Sequence, residues 1–144
     1  MSDFYQAMSV AASGLAAQRT RMGVVSNNLA HAETTRTVGG GAYRRQEVLM
    51  EPAPLDPFGA TLGETLQTVH VAGIAEDQQT PMERIFDPGH PDADPNGFVE
   101  MPNVNVVSEM VDMMTTNRSY GANANAVETT RDLARRALEI GSGR

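Results

Sequence analysis

The sequence predicts a mainly α fold with a small β portion: long N- and C-terminal helices paired as a coiled coil, with an irregular, β-rich segment between them. Two observations carry this. Apolar residues recur on a seven-residue spacing at both ends of the 144-residue chain, whereas the middle is broken by glycine and proline. The composition supplies a third, since a chain with 40% hydrophobic residues but only 5% aromatics, and no Trp, must build any core from Ala, Val, Leu and Met. Large aromatics contribute most to burial in a small domain, so such material favours helix-on-helix packing over a compact globule.

The first helix is expected over residues 4–32, which contain no proline. Phe4, Ala11, Gln18 and Val25 are seven apart, as are Met8, Leu15, Met22 and Leu29. Together they form one stripe on a helix about 43 Å long. At Glu33 the character changes, and "TTRTVGGGAYRR" reads as a polar chain reversal leading to an extended segment at Tyr43–Met50. Residues 51–63 hold three of the eight prolines and read as irregular. Leu66–Ile74 alternates weakly, and Arg84–Phe86 and Phe98–Met101 bracket a turn-rich loop, which together predict a small sheet of short strands.

The last helix is expected over residues 106–140. Val106, Met113, Tyr120, Val127 and Ala134 form one seven-spaced ladder, and Met110, Asn117, Ala124, Arg131 and Leu138 the other. Asn105 is a natural N-cap after Pro102, Gly141 a natural stop, and Arg135 and Arg136 sit favourably in the last turn. Gly121 inside the helix costs about 1 kcal/mol relative to Ala, which calls for a close packing partner or some other compensation. The organisation is therefore residues 1–33 as the first helix of a coiled-coil domain, 34–103 as the middle segment and 104–144 as the second helix. The middle segment cannot cover both stripes, so the helices are expected to pair with each other and with copies in neighbouring chains. The expected subunit-interface residues are Met8, Leu15, Met22, Val25 and Leu29 with Val106, Met110, Met113, Asn117, Tyr120, Val127 and Leu138. A polar Asn117 in the seam sets register and partner.

Charge and motif content exclude most other roles. The net charge of −7 is uneven: residues 1–50 carry +2, residues 51–103 carry −9 and residues 104–144 are neutral. An acidic block of this kind repels nucleic acid and anionic membrane. No cysteine is present for disulfide, thiolate metal site or nucleophile. The N-terminus lacks the basic and apolar regions of a secretory leader, and no apolar run reaches the roughly 18 residues of a spanning helix.

Asp92, Asp94, Asn96 and Gly97 match positions 1, 3, 5 and 6 of a calcium loop, but position 12 is Asn103, Pro95 lies inside, and Asp-Pro-Asn-Gly is an ordinary turn sequence. His90 beside Asp87, Asp92 and Asp94 is a single histidine in a Pro-rich loop, short of a two-histidine metal site. "VGGGAYRR" has neither the lysine nor the spacing of a phosphate loop. The expectation is therefore no catalytic residue, cofactor, metal or small-molecule substrate. The rival readings are a cytosolic helical adaptor or chaperone and a calcium-dependent binding module.

"SGLAAQRTRMGVVSNNLAHAETTRT" followed by "AYRR" resembles the N-terminal signature of bacterial flagellar rod and hook proteins, carried here by Ser26, Asn27, Asn28, Leu29, Ala30, Ala32 and Thr34. "DPGHPDAD", with Asp87, Pro88, Gly89, His90 and Pro91, narrows the resemblance to the proximal-rod branch. So does "MPNVNVVSEMVDMM", with Pro102 and Asn103, together with "NRSY" and "ALEIG". His31 stands where the family usually has Asn, and Gly121 where Glu commonly follows Ser-Tyr.

The resemblance implies a structural subunit of the basal body's drive shaft, exported by the flagellar type III apparatus without a cleaved leader and polymerising in the periplasm. Its terminal helices would form an inner layer around the export channel. Its implied partners are copies of itself, other proximal and distal rod proteins, and the junction with the membrane ring.

Overall fold

The computed structural model describes residues 2–55 and 66–141. In chain order the elements are α1 (Ser2–Ala30), β1 (Gln46–Pro54), β2 (Gln67–Glu76), β3 (Glu83–Phe86), β4 (Phe98–Met101) and α2 (Val106–Gly141). The protein is thus mainly helical with a small β portion, as its heptads and broken middle predict. The chain divides into two compact units. Unit 1 comprises 1–20, 49–73 and 115–144, and unit 2 comprises 21–48 and 74–114. Each helix contributes one stretch to each unit.

Local chemistry accounts for the boundaries. α1 closes after Ala30 in a turn in which His31 N–H donates to Asn27 C=O and Thr34 N–H to His31 C=O. His31 does not take the left-handed conformation, because no non-glycine residue among those described has positive φ. Its ring instead stacks on Tyr43, with centroids 4.8 Å apart, and its Nδ1 lies 3.0 Å from Thr34 Oγ1. The chain then reverses at Thr37–Gly41, where Gly40 and Gly41 take φ of 85° and 76° and Thr37 N–H donates to Gly41 C=O. At the other end, Asn105 caps α2: its Oδ1 accepts Ser108 N–H at 3.0 Å.

The β portion departs from expectation in two ways. Instead of one small sheet, the described residues form two two-stranded ribbons, β1–β2 and β3–β4. The Asp77 carboxylate accepts the Gln79 and Thr80 N–H groups and so turns the chain out of β2 before β3 begins. The extended segment starts later than Tyr43 and runs through Pro52 to Pro54, part of the stretch read as irregular. Proline is tolerated there because β1 has only one neighbour, so a missing N–H on its outer edge breaks no ladder bond. Residues 56–63 of that stretch lie outside the described residues.

β3 pairs antiparallel with β4, from Glu83 opposite Met101 to Phe86 opposite Phe98. Gly97 makes the return, with φ of 81° and a hypothetical Cβ only 2.9 Å from Phe86 Cε2, so only glycine fits. Gly121 behaves otherwise: nothing lies within 4 Å of a Cβ built there, so no close packing offsets its helical penalty. α2 also extends to Gly141, which leaves Arg135 and Arg136 above its last turn, where no basic residue lies.

The core is small and uneven. In unit 2, Val24, Val25, Tyr43 and Val99 are buried with Asn28, Asn103 and Glu109, whereas Ala17 and Thr116 are the fully buried residues described in unit 1.

Candidate functional site

Unit 2 is organised around a buried polar clamp. Asn28, on the last turn of α1, is 0% exposed and uses its full hydrogen-bonding capacity. Its Nδ2 donates to Gln46 C=O at 2.9 Å and to Glu109 Oε2 at 3.0 Å. Its Oδ1 accepts Tyr43 O–H at 2.9 Å and Gln46 N–H at 2.9 Å. The side-chain amide thus pairs with the first residue of β1 as a neighbouring peptide would, while also reaching Tyr43 and α2. Only an amide has both two donors and two acceptor sites, and Asn sets them closer to the helix than Gln does.

Glu109, 1% exposed, is the second centre. Its Oε1 accepts Arg45 Nε at 2.6 Å, so both carboxylate oxygens are occupied. Burial opposes the charge on Arg45, but the hydrogen bond and negative charge of Glu109 outweigh it and raise the guanidinium pKa above its usual value. One turn along α2, Asp112 lies 3.4 Å from Arg21 of α1 and 3.8 Å from Arg45. The two acids and two arginines balance in charge, and the contacts align α1 and α2 antiparallel within unit 2.

Asn103 completes the arrangement: its Oδ1 accepts Arg45 N–H at 2.7 Å and its Nδ2 donates to the Asp77 and Thr80 carbonyls. Burial chiefly raises the Tyr43 pKa, with the Asn27 hydrogen bond opposing and the charges of Glu109 and Glu76 adding. The phenol is therefore a firm donor to Asn28. With every polar group in the clamp paired to another, its chemistry is to join α1, the β1 entry, the 77–80 turn and α2.

The other motif residues frame this centre. Asn27 Nδ2 donates to Tyr43 O–H and Thr34 C=O accepts Tyr43 N–H, while Leu29 and Ala32 are half-buried and Ser26 and Ala30 exposed. Asp87 and Gly89 form an Asx turn, Pro88 packs beside Gly97, His90 Nδ1 accepts Asp92 N–H, Pro91 is exposed and Pro102 buried.

Asp92 and Asp94 are held in separate local contacts. Asp92 accepts Thr35 O–H at 2.8 Å and pairs with Arg36, and its pKa is lowered, first by Thr35. Asp94 accepts the Phe98 and Asn96 N–H groups and pairs with Arg84 at 2.6 Å, and its pKa is lowered, first by Phe98.

The expected interface residues divide into two sets in the single chain. Val25 is buried, and Leu15, Met22, Leu29, Met113, Tyr120 and Val127 are half-buried; Met8, Val106, Met110, Asn117 and Leu138 are exposed. The two ladders on α2 thus face different surroundings. Met113, Tyr120, Val127 and Ala134 of one ladder are half-buried, whereas Met110, Asn117, Arg131 and Leu138 of the other are exposed, and Val106 and Ala124 are the exceptions in each. Val107, Met110, Val111 and Met114 are each at least 50% exposed and fall on one helical face. Sequence reasoning missed Arg45, Gln46, Glu109 and Asp112. A signal existed, because Glu109, Met113, Thr116 and Tyr120 keep a 4, 3, 4 spacing, which places an acid on the inward stripe.

Comparison with known proteins agrees with this architecture at both ends. The model for flagella basal body rod protein matches residues 8–36, and that for the flagellar basal body rod FlgEFG protein C-terminal region matches residues 96–140. The chain is similar to the flagellar basal-body rod protein FlgC of Borreliella burgdorferi, 41% identical over 96% of this chain and 98% of the relative. It is 39% identical to the Bacillus subtilis FlgC, over 95% of this chain and 97% of the relative, and 38% identical to that of Salmonella typhimurium, over 92% and 93%. The matches span the clamp, both helices and the middle segment alike, and the chain belongs to the FlgC family of flagellar basal-body rod proteins.

Proposed function

We propose that this chain is a structural subunit of the proximal rod of the flagellar basal body, assembling with copies of itself and with other rod proteins into the torque-transmitting shaft around the export channel. The observation that carries the reading is the row of large apolar side chains left in solvent along both helices: Phe4, Tyr5 and Met8 on α1, and Val107, Met110, Val111, Met114, Leu133, Leu138 and Ile140 on α2. Burying one such side chain is worth roughly 1.5–3 kcal/mol, a driving force that a lone chain leaves unused.

In this reading residues 1–33 and 104–144 form the assembling helical layer and 34–103 the outer segment. The subunit is exported by the flagellar type III apparatus, orders in the periplasm, and meets proximal and distal rod proteins and the membrane-ring junction. It turns over no substrate and needs no cofactor; packing is its mechanism.

Met8, Leu15, Met22, Val25 and Leu29, with Val106, Met110, Met113, Asn117, Tyr120, Val127 and Leu138, divide between contacts within and between subunits. The buried and half-buried members hold the chain's own helices, and the exposed ones meet neighbours. Met110→Asp tests this without disturbing the interior, because Met110 is half exposed. The variant is expected to be exported at the parent level, to be absent from purified basal bodies, and to abolish motility. Normal motility, or a parent chain absent from basal bodies, refutes the reading.

A further inference from the structure

We propose that Asn96 is a modification site: it deamidates through its peptide bond to Gly97, and the folded β3–β4 turn holds that step in check. Asn96–Gly97 is the sole Asn-Gly step in the sequence, which has no Asp-Gly step. In the reaction the Gly97 amide nitrogen, losing its proton, attacks Asn96 Cγ. The new C–N bond closes a five-membered succinimide, the Cγ–Nδ2 bond breaks, and ammonia leaves. Water then breaks one of two ring bonds. Cleavage of the new bond leaves aspartate, whereas cleavage of the original peptide bond leaves isoaspartate, whose main chain runs through Cβ and Cγ. A Cβ on the following residue crowds the attacking nitrogen, and glycine has none.

The fold requires that glycine, since a Cβ at position 97 would lie 2.9 Å from Phe86 Cε2 and 3.1 Å from Pro88 Cγ. Asn96 is exposed, so water reaches its amide. The same turn restrains the attack. Gly97 N–H donates to the Asp94 carbonyl at 2.9 Å. With no positive φ at Asn96, a turn closed in this way is of type I, with a ψ of about 0° at its third residue. The ring closes only when Gly97 N eclipses Asn96 Cβ, which needs ψ rotated well away and that hydrogen bond broken. Asp94 fastens both sides of the turn: its Oδ1 accepts Asn96 N–H at 2.8 Å and Phe98 N–H at 2.9 Å. Its own N–H donates to Phe98 C=O at 2.8 Å, and its Oδ2 pairs with Arg84 at 2.6 Å. A reaction available only to the opened turn is slowed in proportion to the time the turn stays closed.

Conversion before folding has a structural consequence. Isoaspartate lengthens the main chain just before Gly97, whose C=O must accept Asp87 N–H at 2.9 Å, and before Val99, which is 2% exposed and pairs with Ile85. The added backbone carbon displaces Gly97 from these contacts, so the isoaspartyl chain does not close the ribbon. Under the rod-subunit reading, on which this bearing alone rests, the chain orders only after export. The step then limits how long a chain can wait and still assemble.

The purified full chain is incubated for days in mildly alkaline buffer, with and without urea, and its peptides are mapped by mass spectrometry. Isoaspartate is read by methyl transfer from labelled S-adenosylmethionine with an isoaspartyl methyltransferase. In urea, Asn96 is expected to convert ahead of every other asparagine, with isoaspartate among the products, and Asn96→Ser to abolish the methyl acceptance. Without urea the conversion is expected to be slower by about tenfold or more. Asp94→Ala, which removes the acceptor for Asn96 and Phe98 N–H, is expected to speed the conversion without urea by several-fold while leaving the rate in urea little changed. Isoaspartyl chains separated and returned to buffer are expected to be cut by trypsin after Arg84 faster than the parent. An Asn96 that stays intact in urea, or converts equally fast with and without it, overturns the inference and leaves the rod reading standing. A parent chain absent from basal bodies ends the rod reading, and with it the bearing on export, while the guarded reaction at Asn96 is still read on the purified chain.

Discussion

Replacing Asn28 with Asp changes one atom group without changing volume, and the geometry sets a large effect. The new oxygen stands where Nδ2 was, 3.0 Å from Glu109 Oε2 and 2.9 Å from Gln46 C=O. Two full charges about 3 Å apart repel by about 5 kcal/mol at an effective dielectric of about 20. Taking up a proton avoids this, and for a carboxyl with an unfolded pKa near 3.9 that costs about 4 kcal/mol at about pH 7. Once protonated, the new carboxyl can donate to Glu109 but then leaves the Gln46 carbonyl without its bond, roughly 1 kcal/mol more. Arg45, 2.6 Å from the other Glu109 oxygen, reduces the repulsion, so the net loss at neutral pH is about 3–5 kcal/mol, a large share of a domain's stability.

The pH dependence has a definite sign. The folded-state pKa of the carboxyl pair is raised, so between the unfolded value and that raised value the folded state holds more protons. Stability relative to the parent is therefore recovered as pH falls. Urea unfolding of parent and Asn28→Asp, followed by circular dichroism at about pH 7 and about pH 5, measures it. A gain of up to about 2.7 kcal/mol is expected over the roughly two pH units. A loss under about 1 kcal/mol at neutral pH, or a deficit equal at both pH values, refutes the account of the clamp.

Gly121→Ala is expected to favour the helical form of 115–141 by about 1 kcal/mol, since nothing within 4 Å meets the added methyl; a helical content by far-ultraviolet circular dichroism that is unchanged or lower contradicts this. In the isolated chain, amide signals from 21–48 and 74–114 are expected to be dispersed. Those from 4–20 and 115–141 should be weak or exchange-broadened until assembly, because nearly all the buried residues lie in unit 2 and helices without a packed partner are marginal in water; equal protection throughout in hydrogen exchange refutes it. Asp77, Asp92 and Asp94 are each held below the ordinary value of 3.8 by local hydrogen bonds, led by Thr80, Thr35 and Phe98 respectively. Their contribution is present above that value and lost as pH falls through the lowered ones, so carboxyl titrations followed by NMR should show midpoints below 3.8.

Much of the plan could be read from the chain as written, because helices announce themselves through local spacing. The 4, 3 recurrence from Phe4 to Leu29 and from Val106 to Leu138 located both helices to within about two residues at each end, and Asn105 marked the start of the second through a bond to a residue three positions away. "DPNG" marked the β3–β4 turn by the same local logic, and the Asn28 and Asn103 motifs pointed to the right neighbourhood. Periodicity cannot say which side of a striped helix its own chain covers, and here that was decided by residues far away in sequence. Glu109 turns inward because Asn28 and Arg45, 81 and 64 positions distant, supply its partners. That rotation buries Thr116, half-buries Met113 and sends Val107, Met110, Val111 and Met114 into solvent. The sequence by itself determined that two long amphipathic helices exist. Only tertiary structure, through a buried carboxylate that must find its donors, decided which face each helix keeps and which it leaves uncovered.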